Sequence, residues 1–364
     1  MKLTEDFRSI VLNNTPLLDV RAPVEFKNGA FVRTTNLPIL TDKERELVGT
    51  MYKEQGNAAA VQLAEELIQE SGKQKRVQEW KNYLQENPDA LLYCFRGGQR
   101  SGIAQAWLEE AGINITRLKG GYKAFRNFLM QESLRITKEL KSTIIGGRTG
   151  SGKTILLQEL DNAIDLEGLA HHRGSTFGGF VKEQPTQINF ENDLAYALIQ
   201  LEERGFHEFV IEHESHNVGK IFIPKGLYDN FMDGELILLE TPLEQRVAII
   251  FEEYIENALK SYHDKYGDEG REKWAEVIRK SIDKLQKRVG SERHKELKAL
   301  FENALQMHVT NADLQGYKPL IEKLLIEYYD PMYDYQIKKS EIPVIFKGSA
   351  SEILEFLHKR NATK

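Results

Sequence analysis

The chain has 364 residues, 41% of them apolar and 29% charged, which suits two or three globular domains and excludes a disordered or fibrous protein. No apolar run approaches membrane-spanning length, so no membrane partner is expected, and a net charge of −6 excludes a globally basic nucleic-acid binder, so any RNA site must be a local patch. A single cysteine excludes an internal disulfide, and the polar, acidic start Met1-Lys2-Leu3-Thr4-Glu5-Asp6 is no secretory signal; both point to the cytoplasm. In chain order, Pro16-Leu17-Leu18-Asp19-Val20-Arg21 reads as a strand running into a turn. Ala22-Pro23-Val24-Glu25-Phe26 starts a short helix with proline in its first turn. Phe31 to Leu40 returns towards the sheet, and residues 42–70 form a long polar helical stretch with Val61, Leu63, Ala64, Leu67 and Ile68 on its apolar face.

Ala90-Leu91-Leu92-Tyr93 is a buried strand, and helical spacing resumes at Ile103, Ala104, Ala106, Trp107 and Leu108. Between them lies Cys94-Phe95-Arg96-Gly97-Gly98-Gln99-Arg100-Ser101, with the thiol at the loop's first position. Two glycines let the backbone turn its N–H groups inward as a nest for an anion. The nest, the helix N-terminus and the charges of Arg96 and Arg100 all favour the thiolate, the nucleophilic form. A cysteine without such company is a small buried hydrophobe; with it, Cys94, Arg96 and Arg100 are the catalytic candidates.

This loop resembles the active loop of rhodanese-type sulfurtransferases, and Leu17-Leu18-Asp19-Val20-Arg21, Glu25 and Leu118-Lys119-Gly120-Gly121-Tyr122 extend the resemblance. The resemblance implies a cysteine that carries sulfur or selenium as a persulfide or perselenide. Five residues, Phe95 to Gln99, separate Cys94 from Arg100 where single-domain rhodaneses usually have four. That is the spacing of cysteine-dependent phosphatases, and a wider loop has room for a tetrahedral phosphorus group, but Tyr93 stands where a phosphatase would usually have His. Asp19, Arg21 and Glu25 are expected to form an ion-paired scaffold beneath the loop.

A charged helical stretch, Gln131 to Lys141, carries the domain boundary, giving a rhodanese-like α/β domain over 1–135 and a P-loop NTPase-like α/β domain with a parallel sheet over 136–364. Ser142-Thr143-Ile144-Ile145 is a brief strand, Gly147-Arg148-Thr149-Gly150-Ser151-Gly152-Lys153-Thr154 is a phosphate-binding loop, and Ile155, Leu156, Leu157 and Leu160 continue as a helix. Backbone N–H groups around Gly147, Gly150 and Gly152 cradle phosphate oxygens, Lys153 reaches a terminal phosphate, and the Thr154 hydroxyl suits Mg²⁺. Phe209-Val210-Ile211-Glu212 is a strand ending in a carboxylate, with Glu214 two residues on; Glu212 is the second candidate Mg²⁺ ligand. Leu236 to Glu240 and Pro343 to Phe346 supply further strands, and Thr241-Pro242 turns into a helix bearing Arg246. Strands alternating with helices place the ligand at the strands' C-terminal ends.

Asp165 to Ser175 is dense in polar groups; no Cys or third His lies near His171 and His172, so this segment, with Arg173, reads as a phosphate or substrate contact rather than a zinc site, with a polar surface loop as the alternative. Residues 279–298 hold eight basic and three acidic side chains, a net +5. Lys280, Lys284, Lys287 and Arg288 share one helical face and Ile278, Ile282, Leu285 and Val289 another, the pattern of a packed helix offering a basic stripe to an RNA backbone or simply to solvent.

A rhodanese domain ahead of a P-loop domain, with Glu44 to Lys53, Gly120-Gly121-Tyr122-Lys123-Ala124, Leu166 to Ser175 and Tyr328-Tyr329-Asp330-Pro331-Met332-Tyr333, resembles the tRNA 2-selenouridine synthase family over nearly the whole chain. The resemblance implies a transferase acting on tRNA. The wobble 2-thiouridine is first alkylated on sulfur by geranyl diphosphate, and selenium from selenophosphate then replaces the geranylthio group. It also implies a selenophosphate-producing enzyme as supplier. The residues alone leave open a P-loop kinase or ATPase with an attached rhodanese module, and a nucleic-acid-binding regulator whose loop only senses anions.

Overall fold

The computed structural model describes residues 2–179 and 181–362. Its packing separates Met1–Ile136 with Pro185–Gly205 from Thr137–Gln184 with Phe206–Lys364. Among the described residues, no helix is long and apolar enough to cross a membrane.

In the first unit, strands of three residues are joined through helices, the central two mostly apolar (Leu17–Asp19 and Leu91–Tyr93). The order is β1 (Lys2–Thr4), α1 (Phe7–Leu12), β2 (Leu17–Asp19), α2 (Pro23–Asn28), β3 (Thr34–Asn36), α3 (Asp42–Glu86), β4 (Leu91–Tyr93), α4 (Gln99–Glu110), β5 (Thr116–Leu118) and α5 (Gly121–Glu139). The sheet runs β1-β5-β4-β2-β3 with every pair parallel. Helices on its faces bury Leu17, Leu18 and Leu92 completely, as a parallel sheet requires. The long helical stretch starts at the capping box of Thr41 and Glu44 and continues past residue 70 to Glu86, but in three pieces. Gly56 and Gln69, at φ +83° and +55°, interrupt it, because a left-handed residue cannot continue a right-handed helix. The last piece sets Trp80 in the core, its indole N–H donating to the Leu37 carbonyl at 2.9 Å.

A helix from the later chain, α8 (Gln187–Glu203; α6 and α7 precede it in the other unit), completes this unit, although the sequence reading placed everything after 135 with the P-loop. It buries an apolar face of Phe190, Leu194, Leu198, Ile199 and Leu201, and polar residues fix its position. Asn192 donates to the Ala30 carbonyl at 2.7 Å and accepts from Arg126 at 2.8 Å, Asn189 accepts from the Ala30 N–H at 2.8 Å, and Arg126 pairs with Glu191. Arg8 of α1 reaches Glu202 at 3.0 Å.

The second unit is built on β6 (Lys141–Gly147), followed by α6 (Lys153–Gln158), β7 (Ala163–Ile164), α7 (Leu166–Ala170), β8 (Glu208–Glu212), a small hairpin of β9 (Asn217–Val218) and β10 (Ile221–Phe222), α9 (Lys225–Met232) and β11 (Glu235–Leu239). A helical layer follows, α10 (Leu243–Phe251), α11 (Asn257–Tyr266), α12 (Gly270–Val289), α13 (Ser291–Asn311), α14 (Lys318–Leu324) and α15 (Asp330–Lys339), before β12 (Val344–Gly348) and α16 (Ala350–Ala362). The sheet order is β12-β11-β6-β8-β7, all parallel, with β6 central and buried from Ser142 onwards. Its C-terminal ends bring Gly147, Glu212 and Leu239 to one edge. The helical layer has its own core around Phe251, Trp274, Ile282, Leu285, Phe301 and Tyr317. Two π-helical turns, Glu252–Glu256 and Leu325–Tyr329, break its regular winding; such turns re-aim side chains and recur at functional sites.

Candidate active sites

Cys94 leaves the end of β4 and the chain bends through Phe95–Gly98 into α4. The loop's carbonyls are pinned. Cys94 O accepts from Tyr122 N–H at 2.9 Å and Phe95 O from Lys123 N–H at 3.0 Å, while Arg117 Nη1 donates to Gly97 O at 2.9 Å and Gly98 O at 3.0 Å. In a trans peptide the N–H points opposite the carbonyl before it. The donors of Phe95, Arg96, Gly98 and Gln99 are therefore turned away from the groups that hold the loop, which is how a nest forms. The pinning depends on close backbone contact: at Gly121, φ +59°, a Cβ would sit 2.2 Å from Cys94 O and 2.3 Å from Gly97 N. The Gly120-Gly121 pair therefore belongs to the cysteine site, with no room there for a side chain.

Cys94 is 3% exposed, its Sγ 3.1 Å from the Oγ of Ser101, which is itself fully buried. Once the thiol is ionised, the Ser101 hydroxyl can donate to it. Beneath the loop stand two ion pairs. Arg100 grips Glu25 through two bonds of 2.5 and 3.0 Å, and Arg21 meets Asp19 at 2.7 Å while donating to the Gly29 carbonyl at 2.8 Å. Burial works to raise the Glu25 pKa, but the Arg100 hydrogen bond and charge win and hold it below the usual carboxylate range. Part of the Arg100 charge is thus balanced by Glu25, whereas Arg96 is exposed and has no ion pair among the described residues.

In the second unit, Arg148 to Ser151 link β6 to α6, and Gly152, at φ +84°, caps the helix. Lys153 Nζ folds back to the Gly147 carbonyl at 3.1 Å. Thr154 Oγ1 accepts from Arg173 Nη1 at 2.9 Å, and Arg173 also pairs with Glu253 at 3.1 Å and Glu167 at 3.7 Å. Glu167 ties this loop down, since its N–H donates to Glu212 Oε1 at 2.8 Å and its Oε1 accepts from Gly174 N–H at 2.6 Å. Glu212 Oε2 is buried without a hydrogen-bond partner among the described residues. Burial, then the charge of Asp165, pushes the Glu212 pKa well up; burial, then Glu167, pushes Glu214 up to about 8. Thr154 and Arg173 are thus in direct contact, Glu212 joins them only through Glu167, and Lys153 rests on its own loop. His171 turns to Lys182 at 2.9 Å and the Glu183 carbonyl at 3.1 Å, and no group of three or more His, Cys, Asp or Glu among the described residues gathers to hold a metal.

The loop is braced from behind. Arg246, 2% exposed, donates to the Thr149 carbonyl at 2.9 Å and takes Asp330 with bonds of 2.9 and 2.5 Å. Arg148 reaches Asp330 at 3.6 Å and Asp334 at 2.7 Å, and Thr241 donates to the Ser151 carbonyl at 2.8 Å. The stretch Tyr328 to Tyr333 therefore acts on the phosphate loop through Asp330. On α12, Lys280, Lys284, Lys287 and Arg288 are exposed while Ile278, Ile282 and Leu285 are buried. Arg288 donates to the Tyr328 hydroxyl at 2.8 Å, and Lys280 lies 3.9 Å from Glu276. Within the same +5 segment, Arg279 and Lys298 are spent on Glu302 and Asp283. Arg293 pairs with Glu327, which leaves Lys284, Lys287 and Lys295 with neither an ion pair nor a side-chain hydrogen bond among the described residues.

The family model for the tRNA 2-selenouridine synthase AAA domain matches residues 140–364, and the rhodanese-like domain model matches residues 4–128. A tRNA 2-selenouridine synthase of Sulfurovum sp. is 52% identical over 97% of both chains. The chain belongs to the tRNA 2-selenouridine synthase family. Other relatives with that name are 46% identical in Hydrogenovibrio crunogenus, over 98% of this chain and 99% of that one, and 43% identical in Pseudomonas fluorescens, over 98% of each. Membership makes the chain an enzyme, a transferase joining a rhodanese-like α/β domain to a P-loop-type α/β domain.

Several residues of these sites belong to none of the motifs quoted above. Arg117, which pins the nest, precedes the Leu118–Tyr122 stretch and could be suspected from it. Glu253 and Tyr254 reach Arg173 and Ser175 from a π-helical turn that no periodicity announces.

Proposed function

We propose that this chain converts the wobble 2-thiouridine of tRNA into 2-selenouridine in two steps, in the cytoplasm, with the loop of Cys94 serving selenium chemistry and the phosphate loop serving alkylation. In the first step the thiouridine sulfur attacks C1 of geranyl diphosphate. A C–S bond forms, the C–O bond to diphosphate breaks, and the base loses its N3 proton. In the second step the selenium of selenophosphate adds at C2, the geranylthio group leaves as the thiol, and water cleaves the Se–P bond to release phosphate and leave selenium on C2. Alkylation makes sense because it turns a poor leaving group into a better one. The observation that carries the reading is a thiol set beside a nest of N–H donors whose carbonyls are pinned by Tyr122, Lys123 and Arg117. A selenium donor bearing phosphate needs both an anion seat and a soft nucleophile.

For the diphosphate, Gly147, Gly150 and Gly152 supply the backbone cradle, and Lys153 and Arg173 the positive charge. The donor set also fits Mg²⁺. Glu212 Oε2, which has no hydrogen-bond partner among the described residues, and the Thr154 hydroxyl would hold the ion, which would neutralise charge on the diphosphate. Its charge would draw the Glu212 pKa back down.

The basic face of α12 takes tRNA phosphates. Lys284→Glu combined with Lys287→Glu should weaken tRNA binding and reduce the slope of log affinity against log salt by about two. A folded double variant with unchanged slope would move the RNA elsewhere.

The test of the two-step reading is mass spectrometry of tRNA nucleosides after incubation with geranyl diphosphate and selenophosphate, each alone and together. Geranylthiouridine should form with the first alone, and 2-selenouridine only with both. A requirement for ATP hydrolysis would instead favour a kinase-like P-loop with an attached rhodanese module. A separate enzyme that makes selenophosphate would supply the donor.

A further inference from the structure

The residue after the nucleophile is a phenylalanine, and it is not packed away. Phe95 is 36% exposed, whereas Tyr122, against which it lies, is 6% exposed. The two rings are 6.0 Å apart and within 20° of parallel. Tyr122 in turn carries the guanidinium of Arg21 at 4.0 Å from its ring centre, and Arg21 is fixed by Asp19 and the Gly29 carbonyl. The Phe95 carbonyl is held by Lys123 N–H at 3.0 Å, so the ring's backbone is as fixed as the nest itself. A rigid column of stacked groups therefore ends in an aromatic surface open to solvent, one residue from Cys94.

Two cations are tied to it through the backbone, Arg96 as the next residue and Lys123 through the N–H that holds the Phe95 carbonyl. Arg96 and Lys123 are exposed, and neither has an ion pair among the described residues. An aromatic face between unspent cations is how proteins hold an unpaired nucleotide: the base stacks on the ring and the neighbouring phosphates meet the charges. A wobble base cannot reach Cys94 while stacked in the anticodon, and enzymes that act on a base take it out of the stack. Phe95 supplies a substitute stacking partner at the point where the base must arrive.

We propose that Phe95 is the platform on which the unstacked wobble uracil lies while Arg96 and Lys123 take the phosphates on either side of it. This rests on the reading of Cys94 as the selenium site. It adds what that reading lacks, a means of presenting the base.

The full chain with Phe95→Trp carries a reporter at the platform. Its emission, taken as the difference from the unsubstituted chain, should be quenched saturably by an anticodon stem-loop RNA bearing 2-thiouridine. Phe95→Ala should weaken binding of that RNA about tenfold, the scale of one base stacked on one ring. Phe95→Leu, similar in bulk but without a ring, should be as weak as the alanine variant, and Phe95→Tyr should bind as the unsubstituted chain does. Absence of quenching, or a leucine variant that binds normally, would overturn the proposal. Repeating the quenching with Cys94→Ser separates the two readings. If that variant still makes 2-selenouridine, Cys94 is not the selenium site; quenching that survives in it leaves the platform standing.

Discussion

Cys94→Ser should bring 2-selenouridine formation down to background while geranylation of 2-thiouridine tRNA continues. The reason is chemical. An oxygen in place of Sγ keeps the contact with Ser101, 3.1 Å away, and leaves the nest and its pinned carbonyls in place. It removes the soft, ionisable nucleophile, because a serine hydroxyl stays protonated where a thiol can ionise. The measurement is selenation of tRNA supplied already geranylated, with selenophosphate as donor. An unchanged melting temperature would show that the loss is chemical. Normal 2-selenouridine yield from the variant would take Cys94 out of the reaction, and the nest would then be an anion sensor.

Lys153→Ala should slow geranylation by about a hundredfold to a thousandfold, the usual scale for removing one group that stabilises developing charge. Lys153 Nζ rests on the Gly147 carbonyl at 3.1 Å, a contact it can give up when a phosphate oxygen arrives. The charge that grows on a departing diphosphate is of the same kind as that on a phosphoryl group, so the lysine's help carries over. Arg173, on Thr154 at 2.9 Å, remains in the variant and should account for residual activity. Selenation of pre-geranylated tRNA should be spared. Geranylation that persists undiminished in Lys153→Ala would sink the assignment of the diphosphate to this loop.

The local chemistry was legible in the chain wherever sequence neighbours also work together. Strand, loop and helix follow one another within 20 residues at both Cys94 and Lys153, and the glycines that shape each loop lie inside it. The parallel sheets follow from strands alternating with helices. The basic face of α12 was legible too, since exposure and burial obey the 3.6-residue repeat of one helix.

What only the tertiary structure decided is where long-range partners meet. Arg117 reaches the Cys94 loop from the next strand, and Glu25 meets Arg100 across 75 positions. Asp330 braces the phosphate loop through Arg246, 84 positions away. Helix α8 joins the first unit through Asn189, Asn192 and Glu191, although its chain neighbours lie in the second. A polar residue states which bonds it can make but not with whom; that choice is made when burial forces each donor to find the acceptor left beside it. The sequence by itself determined the two loops, because main-chain geometry and adjacent side chains suffice to build them. The ion pairs and carbonyl pins that hold those loops in working shape depend on the packed sheets, because only packing brings residues so far apart in the chain within hydrogen-bond reach.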